Sequence, residues 1–326
     1  MTGERRDVAV LGAGLAGLAA AGALVAGGHR VVVVDKGRSV GGRLATRRID
    51  GARLDHGAQF FTVRGDELRA LVERLSGESV VYEWCRGFGP EPDGHPRYAT
   101  AGGMNNLAKQ LATGLDVRVE TQVGAIEAVD GRWRLTFDGG AIEADAVIAT
   151  PPVPQTLALL DAGGVTLRSD LAGLRDVRYF STLAVLATLD GAPAVPGPGG
   201  VQLDDGPFTF VADNRRKGIS DEDAITFHAA HDLSAARYEE DESTVLADLV
   251  AEARPWLGDA SIRTAQLKRW RYAGPVEPWP EAATVAVDGP APLVLAGDAF
   301  NGPKVEGAYR SGLAAARTVA ERLDTA

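Results

Sequence analysis

Cysteine is almost absent from this chain. It occurs once in 326 residues, at Cys85, so no intrachain disulfide can form, and we expect a reducing, cytoplasmic setting. Basic residues are also outnumbered, with 34 Lys and Arg against 44 Asp and Glu and a net charge of −10. A nucleic-acid-binding surface would need a basic face, so we predict no nucleic-acid partner.

Strongly hydrophobic runs are scarce too. Val8–Gly28 carries no charge over 21 residues, which is long enough to suggest a membrane span. Six of these residues are glycine and most of the others are alanine. The stretch is therefore only weakly hydrophobic, and we predict that it does not enter a membrane.

The same stretch begins a strand–helix–strand pattern. Val8–Leu11 is predicted to be a short buried strand, and Leu15–Val25 has helical length without proline. Val31–Val34 is a β-branched run of the kind buried in parallel sheets, and Asp35 closes it. The pattern predicts a βαβ unit.

The turn inside this unit has the spacing G-x-G-x-x-G, formed by Gly12, Gly14 and Gly17. The first glycine permits the turn, the second lets a pyrophosphate approach the backbone, and the third lets helix and strand pack closely. Free N–H groups at the helix N-terminus bind the phosphates, and an acid such as Asp35 takes a ribose hydroxyl. The unit therefore predicts a bound dinucleotide.

The next segment, "DKGRSVGGRLATRR", indicates which dinucleotide this is. Arg38, Gly41, Gly42 and Arg43 follow directly after the ribose acid. A second glycine pair with arginine at this distance is typical of proteins that bind FAD in an extended form. The glycines let the chain run close to the cofactor, and arginine balances its pyrophosphate.

A second motif stands near the other end of the chain. Leu293–Leu295 is an apolar strand, Gly297 and Asp298 follow, and a helix begins at about Val305. An acid at such a strand end can hold ribityl hydroxyls, while the helix N-terminus can face the flavin edge where negative charge collects. A loop acid or helix cap is the structural alternative for Asp298.

Four segments together resemble the renalase family, within the flavin amine oxidase superfamily. They are "DKGRSVGGRLATRRIDGARLDHGAQFFTVR" (35–64), "AGGMNNLAKQL" (101–111), "LKRWRYA" (267–273) and "GDAFNGPKVEGAYRSGLAAA" (297–316). The resemblance implies a para-hydroxybenzoate-hydroxylase-like α/β (α+β) fold and noncovalent FAD. It also implies oxidation of misreduced dihydronicotinamide dinucleotides by O2, giving H2O2.

The predicted cofactor contacts follow these motifs, and no metal is predicted. They are Gly12, Gly14, Leu15, Ala16, Gly17, Asp35, Lys36, Arg38, Gly42, Arg43, His56, Gly57, Ala58, Gln59, Val123, Thr150, Gly297, Asp298, Val305, Glu306, Gly307 and Ala308. For His56 we favour a structural role that orients its loop.

The rest of the chain predicts a meander on the FAD-binding domain, followed by a second domain. Residues 116–148 form a three-stranded meander with turns at Gly131 and at Gly139-Gly140. Strands are then predicted over 181–189, 207–214, 223–231 and 262–274, with helical periodicity over 233–257. We predict that 1–62, 98–152 and 284–326 form an extended-FAD Rossmann-type domain, and that 63–97 and 153–283 form an inserted antiparallel-sheet substrate domain.

Three residues of the substrate domain are candidates for the catalytic site. His228 alternates with apolar residues in a strand and either contacts substrate or is a satisfied sheet histidine. Trp270 shares a strand face with Tyr272 and either walls the nicotinamide or belongs to the core. Asn214 completes the set.

The basic residues of Lys36–Arg64 raise a separate question. Seven stand against two acids, Asp50 and Asp55, in an otherwise acidic chain. Arg38 and Arg43 are assigned to FAD. The remaining arginines are Arg47, Arg48, Arg53 and Arg64. They form a solvated face paired in part with Asp50 and Asp55, or a minority of them bind the phosphates of a dinucleotide substrate.

Two alternative functions remain open at this point. The first is an FAD-dependent amine oxidase or desaturase acting on a small molecule. The second is a non-enzymatic binding protein of the same fold, as in the Rab GDP-dissociation inhibitors. Cys85 lies far along the chain from the C-terminal flavin motif, which argues against a thioether-linked flavin.

Overall fold

A computed structural model describes residues 6–89, 93–289, 291–300 and 302–325. The chain divides into two compact units. Unit 1 comprises Met1–Gly42, Ala108–Arg178 and Pro275–Ala326, and unit 2 comprises Arg43–Leu107 and Tyr179–Gly274.

The described strands and helices are as follows. The strands are β1 (Asp7–Leu11), β2 (Arg30–Val34), β3 (Thr46–Ile49), β4 (Ala52–Asp55), β5 (Val81–Cys85), β6 (Arg97–Thr100), β7 (Asp116–Arg118), β8 (Val123–Val129), β9 (Arg132–Phe137), β10 (Gly140–Ala144), β11 (Ala146–Ala149), β12 (Tyr179–Leu189), β13 (Gly200–Gln202), β14 (Phe208–Asp213), β15 (Ala224–Ala229), β16 (Ile262–Pro275), β17 (Thr284–Val285) and β18 (Leu293–Leu295). The helices are α1 (Leu15–Ala26), α2 (Asp66–Gly77), α3 (Asn105–Ala112), α4 (Val153–Ala162), α5 (His231–Ala236), α6 (Glu242–Glu252) and α7 (Lys304–Asp324). Short 3₁₀ turns cover Gly42–Leu44, Ser169–Asp176 and Arg254–Trp256.

Unit 1 is built on a six-stranded sheet in the order β17-β18-β11-β1-β2-β7. All neighbours are parallel except β17, which runs antiparallel to β18. Strands β11 and β18 are fully apolar, and β1 and β2 are apolar after their first residue, as is usual for strands covered on both faces. Helices α1 and α7 pack so closely that a methyl group on Gly312 would overlap the carbonyl oxygen of Ala16. The predicted βαβ unit is confirmed, with each boundary within one residue.

A smaller antiparallel sheet, β10-β9-β8, completes the strands of unit 1. Its turns contain Gly131 and Gly139, which have φ values of 76° and 84°. Glycine adopts such positive φ angles without steric penalty. The predicted three-stranded meander is therefore confirmed over 123–144, whereas the two ends of the predicted segment, β7 and β11, belong to the six-stranded sheet.

Unit 2 contains a five-stranded sheet in the order β13-β14-β15-β12-β16. Its β13/β14, β14/β15 and β15/β12 pairs are antiparallel. A core shared with helix α6 includes Val185, Phe227 and Leu249, each at most 1% exposed. Two hairpins, β3–β4 and β5–β6, belong to the same unit. The four predicted strands and the antiparallel sheet are confirmed.

The helical periodicity over 233–257, predicted to form one or two helices, corresponds to two short helices and a turn, namely α5, α6 and a 3₁₀ turn. The carboxylate of Asp241 accepts a hydrogen bond from the Thr244 backbone N–H at 2.9 Å and so begins a new helix. An N-terminal cap of this kind interrupts helical periodicity that would otherwise look continuous.

The compact units differ from the predicted domain boundaries in four segments. Residues 43–62 and 98–107 fall in unit 2, and residues 153–178 and 275–283 fall in unit 1. The hairpin β3–β4 belongs to unit 2, because Ile49, Ala52 and Leu54 share a buried cluster with Leu186 and Ala224. Compact units follow packing, whereas a binding domain is defined by ligand contacts. The assignment of residues 43–62 and 98–107 to FAD binding thus stays a prediction. Within the described ranges, no helix combines the length and the apolar composition of a membrane span.

Candidate functional site

The sheet of unit 1 brings the predicted cofactor motifs to one edge. Strands β1, β2, β11 and β18 are parallel, so the residues that follow them meet at their carboxyl ends. These residues are Gly12, Asp35, Thr150 and Gly297. The chain leaves β1 toward β2 on one side, while β11 lies on the other, and such a switch point is where open α/β sheets bind ligands.

The three glycines of the first turn have different surroundings. A methyl group on Gly17 would overlap the carbonyl oxygen of Gly12, and one on Gly12 would lie 2.5 Å from Oγ1 of Thr150. A methyl group on Gly14 would meet nothing within 4 Å. Two glycines therefore allow close packing, and the third borders open space. This is the arrangement that an approaching pyrophosphate requires.

The N-terminus of α1 suits the same group. Gly14 is its N-cap, no side chain caps it, and its first turn contains no acidic residue. The unpaired N–H groups and the helix dipole both favour an anion there. Leu15 and Ala16 in this turn are each 5% exposed and support the turn by packing.

Asp35 organises the loop beside this helix. Its Oδ2 accepts a hydrogen bond from the Ala13 N–H at 2.7 Å, and its Oδ1 accepts one from the Gly37 N–H at 2.6 Å. Each carboxylate oxygen has a further lone pair for a ribose hydroxyl. The Thr121 N–H donates to the Asp35 carbonyl at 2.9 Å, which places the segment leading to Val123 beside this loop.

Lys36 and Arg38 are exposed residues of the same loop. Nζ of Lys36 lies 3.3 Å from Oε1 of Gln155, its acceptor. Lys36, Arg38 and the exposed Gly42 remain predicted cofactor contacts, with Arg38 assigned to the pyrophosphate.

The C-terminal motif is built around constrained backbone. Gly297 has φ 134° and its N–H donates to Oγ of Ser311 at 2.8 Å, while Asp298 beside it is 8% exposed. A methyl group on Gly307 would overlap the carbonyl oxygen of Gly302. The first turn of α7, which holds the predicted Val305, Glu306, Gly307 and Ala308, receives no side-chain cap from Pro303.

Unit 2 contains a buried ion pair that the sequence did not predict. Nζ of Lys217 lies 2.7 Å from Oδ2 of Asp55, and both side chains are 0% exposed. Oδ1 of Asp55 accepts from Oγ1 of Thr46 at 2.5 Å and from the Met104 N–H at 2.8 Å. Burial lowers the pKa of Lys217, and the Asp55 carboxylate opposes that shift. The carboxylate is thereby satisfied by three donors.

Gln59 connects this pair to His228. Its Oε1 accepts from Nζ of Lys217 at 3.3 Å, and its Nε2 donates to the Asp55 carbonyl at 2.7 Å. The same Nε2 lies 3.3 Å from Nε2 of His228. Because an ammonium only donates, the amide presents oxygen to Lys217 and NH₂ to His228. Nε2 of His228 is therefore an acceptor, and the ring is neutral with its proton on Nδ1.

The electrostatics of His228 agree with this tautomer. Burial, followed by the neighbouring His56, Lys217 and His231, lowers the pKa of His228 to about 4. The backbone of His56 hydrogen-bonds the ring and opposes the shift. The hydrogen bonds of the His228 ring are thus made to Gln59 and to the His56 backbone. A ring held in this way favours a role in positioning the substrate over direct proton transfer. Its assignment as a catalytic residue stays a prediction.

His56 and Trp270 form a stacked pair. Their ring centroids are 5.3 Å apart at 22°, and Nε1 of Trp270 donates to the His56 carbonyl at 2.7 Å. The loop-orienting role predicted for His56 agrees with these contacts. Nδ1 of His56 is buried and has no hydrogen-bond partner among the described residues.

The loop after His56 packs tightly. A methyl group on Gly57 would overlap the carbonyl oxygen of Arg43, and the Ala58 N–H donates to that oxygen at 2.8 Å. Nη1 of Arg43 itself donates to the Tyr272 carbonyl at 3.1 Å. These contacts give Gly57, Ala58 and Arg43 a structural role in unit 2 beside the cofactor role predicted for them.

Asn214 has no exposed surface. Its Nδ2 donates to Oγ1 of Thr226 at 3.0 Å and to the Ala224 carbonyl at 3.3 Å. Its Oδ1 accepts from the Asp55 N–H at 3.4 Å. A side chain committed in this way favours a supporting role, so its catalytic assignment stays a prediction. Lys217 follows Asn214 in the segment "DNRRK" and was not among the predicted site residues. The only sequence signal for its burial was the apolar strand β14 that precedes it.

Comparison with known families is decisive for the class of protein. Residues 84–320, more than half of the chain, match the family described as flavin containing amine oxidoreductase. The chain belongs to this family. Residues 10–75 match the NAD(P)-binding Rossmann-like domain, in agreement with the βαβ unit. Membership of the flavin-containing amine oxidoreductases confirms the predicted flavin cofactor, oxidoreductase class and superfamily.

Individual relatives of this oxidoreductase match over short segments. Putrescine oxidase of Kocuria rosea is 46% identical over 78 residues, which are 24% of this chain and 16% of that enzyme. Flavin-containing monooxygenase FMO GS-OX4 of Arabidopsis thaliana is 32% identical over 152 residues, which are 44% and 33% of the two chains. The matches thus span about a third or less of these relatives.

Solved structures match over the whole length of this oxidoreductase. A protein of Exiguobacterium sp. 255-15, provisionally named protoporphyrinogen oxidase, has a TM-score of 0.70 at 15% identity and covers 99% of each chain. Putrescine oxidase bound to putrescine has a TM-score of 0.63 at 16% identity and covers 98% and 99%. At identities this low, the structural match establishes the fold alone. The predicted fold class is confirmed.

Proposed function

We propose that the protein is an FAD-dependent oxidase of misreduced dihydronicotinamide dinucleotides, 2- or 6-dihydro-NAD(P). It would convert them to NAD(P)⁺ with O2 and give H2O2. Family membership supports the flavin chemistry, and the renalase-like segments at 35–64 and 297–316 support the substrate. The observation that carries the substrate assignment is the character of the polar groups buried in unit 2.

Unit 1 supplies the residues that fit FAD, bound noncovalently. Gly14 and the N-terminus of α1 would take the pyrophosphate, and Asp35 would take the ribose. Asp298 would hold the ribityl chain, and the N-terminus of α7 would favour negative charge on the flavin. A bound flavin supplies hydride acceptance and electron transfer to O2.

The buried groups of unit 2 suit a substrate that needs positioning rather than a base. A dihydronicotinamide releases hydride with the help of its own ring nitrogen, whereas an alkylammonium must first lose a proton. Asp55 is held by Lys217, and the nitrogens of His228 are engaged by Gln59 and the His56 backbone. Burial lowers the pKa of His56 to about 4, which makes it a weak base. These groups therefore favour the dihydronicotinamide.

In this proposal Trp270 provides a flat surface for a planar ring, held in place by its bond to the His56 carbonyl. His228 keeps one neutral tautomer and does not add positive charge beside the substrate. The Lys217–Asp55 pair acts on His228 through Gln59.

Oxidation or desaturation of a small-molecule amine or related compound is the alternative. It is favoured by the likeness to the Kocuria putrescine oxidase and to a 4,4'-diapophytoene desaturase of Staphylococcus haemolyticus, 48% identical over 66 residues. Those matches cover 24% and 20% of this chain. A non-enzymatic function finds no support in a family of oxidoreductases.

The test is anaerobic mixing of the yellow, purified holoprotein with borohydride-reduced NAD, which contains the isomers, and separately with a panel of amines. Rapid bleaching of the flavin band by the isomers, and recovery on adding O2, is the expected result. Bleaching by an amine with no response to the isomers would replace the proposal with the amine oxidase alternative.

A further inference from the structure

One arginine of the basic segment 36–64 stands apart from its neighbours. Arg48 is exposed, Nη1 of Arg53 lies 3.5 Å from Oδ2 of Asp221, and Arg64 is exposed. Arg47 is partly buried, and its Nε is buried without a hydrogen-bond partner in the described part of the chain. A cation in this state is costly unless an anion joins it.

The strand register explains why Arg47 is buried. In the β3–β4 hairpin Arg47 stands opposite Leu54, and Ile49 stands opposite Ala52. Paired residues share a face, and Ile49, Ala52 and Leu54 lie in one buried cluster. Arg47 therefore lies on the inner face of the hairpin, whereas its neighbour Arg48 points to the other face.

His56 lies on the same face. Its N–H donates to the Ala45 carbonyl at 3.1 Å, which continues the hairpin pairing one residue past β4. His56 is then two residues beyond Leu54 and diagonal to Arg47, within reach of a long side chain. Its Nδ1 is also buried without a partner among the described residues. Nε of Arg47 and Nδ1 of His56, both without a hydrogen-bond partner among the described residues, thus belong to residues at diagonal positions of the hairpin.

A second cation comes from β16. Lys268 is two residues before Trp270 and so shares its face of the strand. The Trp270 ring stacks on His56, which brings this face of β16 to the same place. Burial first, and then Lys268 and Arg47, lowers the pKa of His56 to about 4, in agreement with cations on both sides.

We propose that Arg47, His56 and Lys268 form a binding site for a phosphate group of the substrate. The proposal rests on the function proposed above, because a dinucleotide carries a pyrophosphate where an amine carries positive charge. The Arg47 guanidinium donates to phosphate oxygens, His56 donates from Nδ1, and Lys268 adds charge. The Trp270 ring closes one side.

The first experiment measures anion binding to FAD-saturated holoprotein, so that the cofactor does not compete with the probe. Inorganic pyrophosphate is titrated while ring-proton NMR follows His56, identified with the His56→Gln variant. We expect binding to raise the pKa of His56 by about one unit or more, because an anion favours the imidazolium. The pKa of His56 staying constant at saturating pyrophosphate would overturn the proposal.

Arg47→Gln and Arg48→Gln form a matched pair of neighbouring variants. We expect Arg47→Gln to weaken pyrophosphate binding about 10- to 100-fold, as loss of a charged hydrogen bond does, and Arg48→Gln to leave it unchanged. An equal loss of pyrophosphate affinity in both variants would show that general surface charge attracts the anion, and would overturn the proposed site. Loss of FAD from Arg47→Gln, with pyrophosphate affinity intact, would assign Arg47 to the cofactor instead.

A comparison of substrates separates this proposal from the proposed function. Isomers of dihydro-NAD are compared with the corresponding dihydronicotinamide ribosides, which lack phosphate. The wild type should prefer the dinucleotide, and Arg47→Gln should lose that preference. An equal response of wild type to both would overturn the phosphate site while the oxidase function stands. Pyrophosphate binding with no flavin reduction by either compound would overturn the oxidase function while the phosphate site stands.

Discussion

Nε2 of Gln59 lies 3.3 Å from Nε2 of His228, and this contact decides the protonation state of the histidine. The amide turns its oxygen toward Lys217, so only its NH₂ group faces the ring. A protonated His228 would place two donors against each other. A buried lysine therefore acts on a histidine that it does not touch.

Substitutions of the first-turn glycines should separate cofactor binding from folding. Gly14→Val places a side chain in open space at an extended backbone position, so the protein should fold but remain colourless. Gly17→Ala overlaps the Gly12 carbonyl and should destabilise by about 1–3 kcal/mol or more. Flavin absorbance per protein and urea unfolding distinguish the two. Normal flavin content in Gly14→Val would contradict the assignment.

Asp298→Ala should weaken FAD binding by about 1.5–3 kcal/mol, the contribution of a charged hydrogen bond. The measurement is flavin retained after dialysis against increasing volumes of buffer, together with the dissociation constant. Glu321→Ala is the control, because Glu321 is an exposed acid in the last turns of α7. Equal flavin retention in the two variants would place Asp298 outside the cofactor site.

Lys217→Met leaves the buried Asp55 carboxylate without its cation and should destabilise unit 2 by about 3–5 kcal/mol. Asp55→Asn in the same chain removes the remaining charge and should restore part of this loss. Urea unfolding of the two single variants and the double variant completes the cycle. Simple additivity of the two changes would show that the ion pair has no coupling energy.

Acidification should destabilise the protein through His228. Its pKa is about 4 in the folded chain and 6.5 as the ordinary value, so the unfolded chain binds the proton first as pH falls. Stability is complete above about pH 6.5 and decreases toward pH 4, on the order of 1–3 kcal/mol. His56, Lys217 and His231 face the ring and contribute to the shift. A His228→Gln variant with an unchanged pH slope would contradict this.

His228→Ala should slow anaerobic reduction of the flavin by the dinucleotide isomers, or raise their apparent dissociation constant, with FAD content intact. Reoxidation by O2 should be unaffected, because the flavin itself carries out that step. Rapid-mixing absorbance separates the two half-reactions. Unchanged reduction in this variant would remove His228 from the substrate site and leave the proposed function standing.

Local pattern predicted the nucleotide-binding part of this protein well. The strand, turn and helix over 7–34, the acid at 35 and the C-terminal strand at 293–295 are all where the sequence indicates. Such features depend on residues that are close in the chain, since a glycine turn or a β-branched run acts on its own neighbourhood. Helical periodicity over 233–257 predicted one or two helices, and the Asp241 cap, a local feature as well, divides the segment into two.

Only the tertiary structure identified the groups buried in unit 2. Asp55 and Lys217 are 162 residues apart, and neither belongs to a motif that marks it as buried. Arg47 and Arg48 are adjacent and chemically identical, and the register of β3 against β4 places one inward and the other outward. Burial and pairing arise from strand register and from contacts between distant segments, and these are what convert an ordinary charged residue into part of a site.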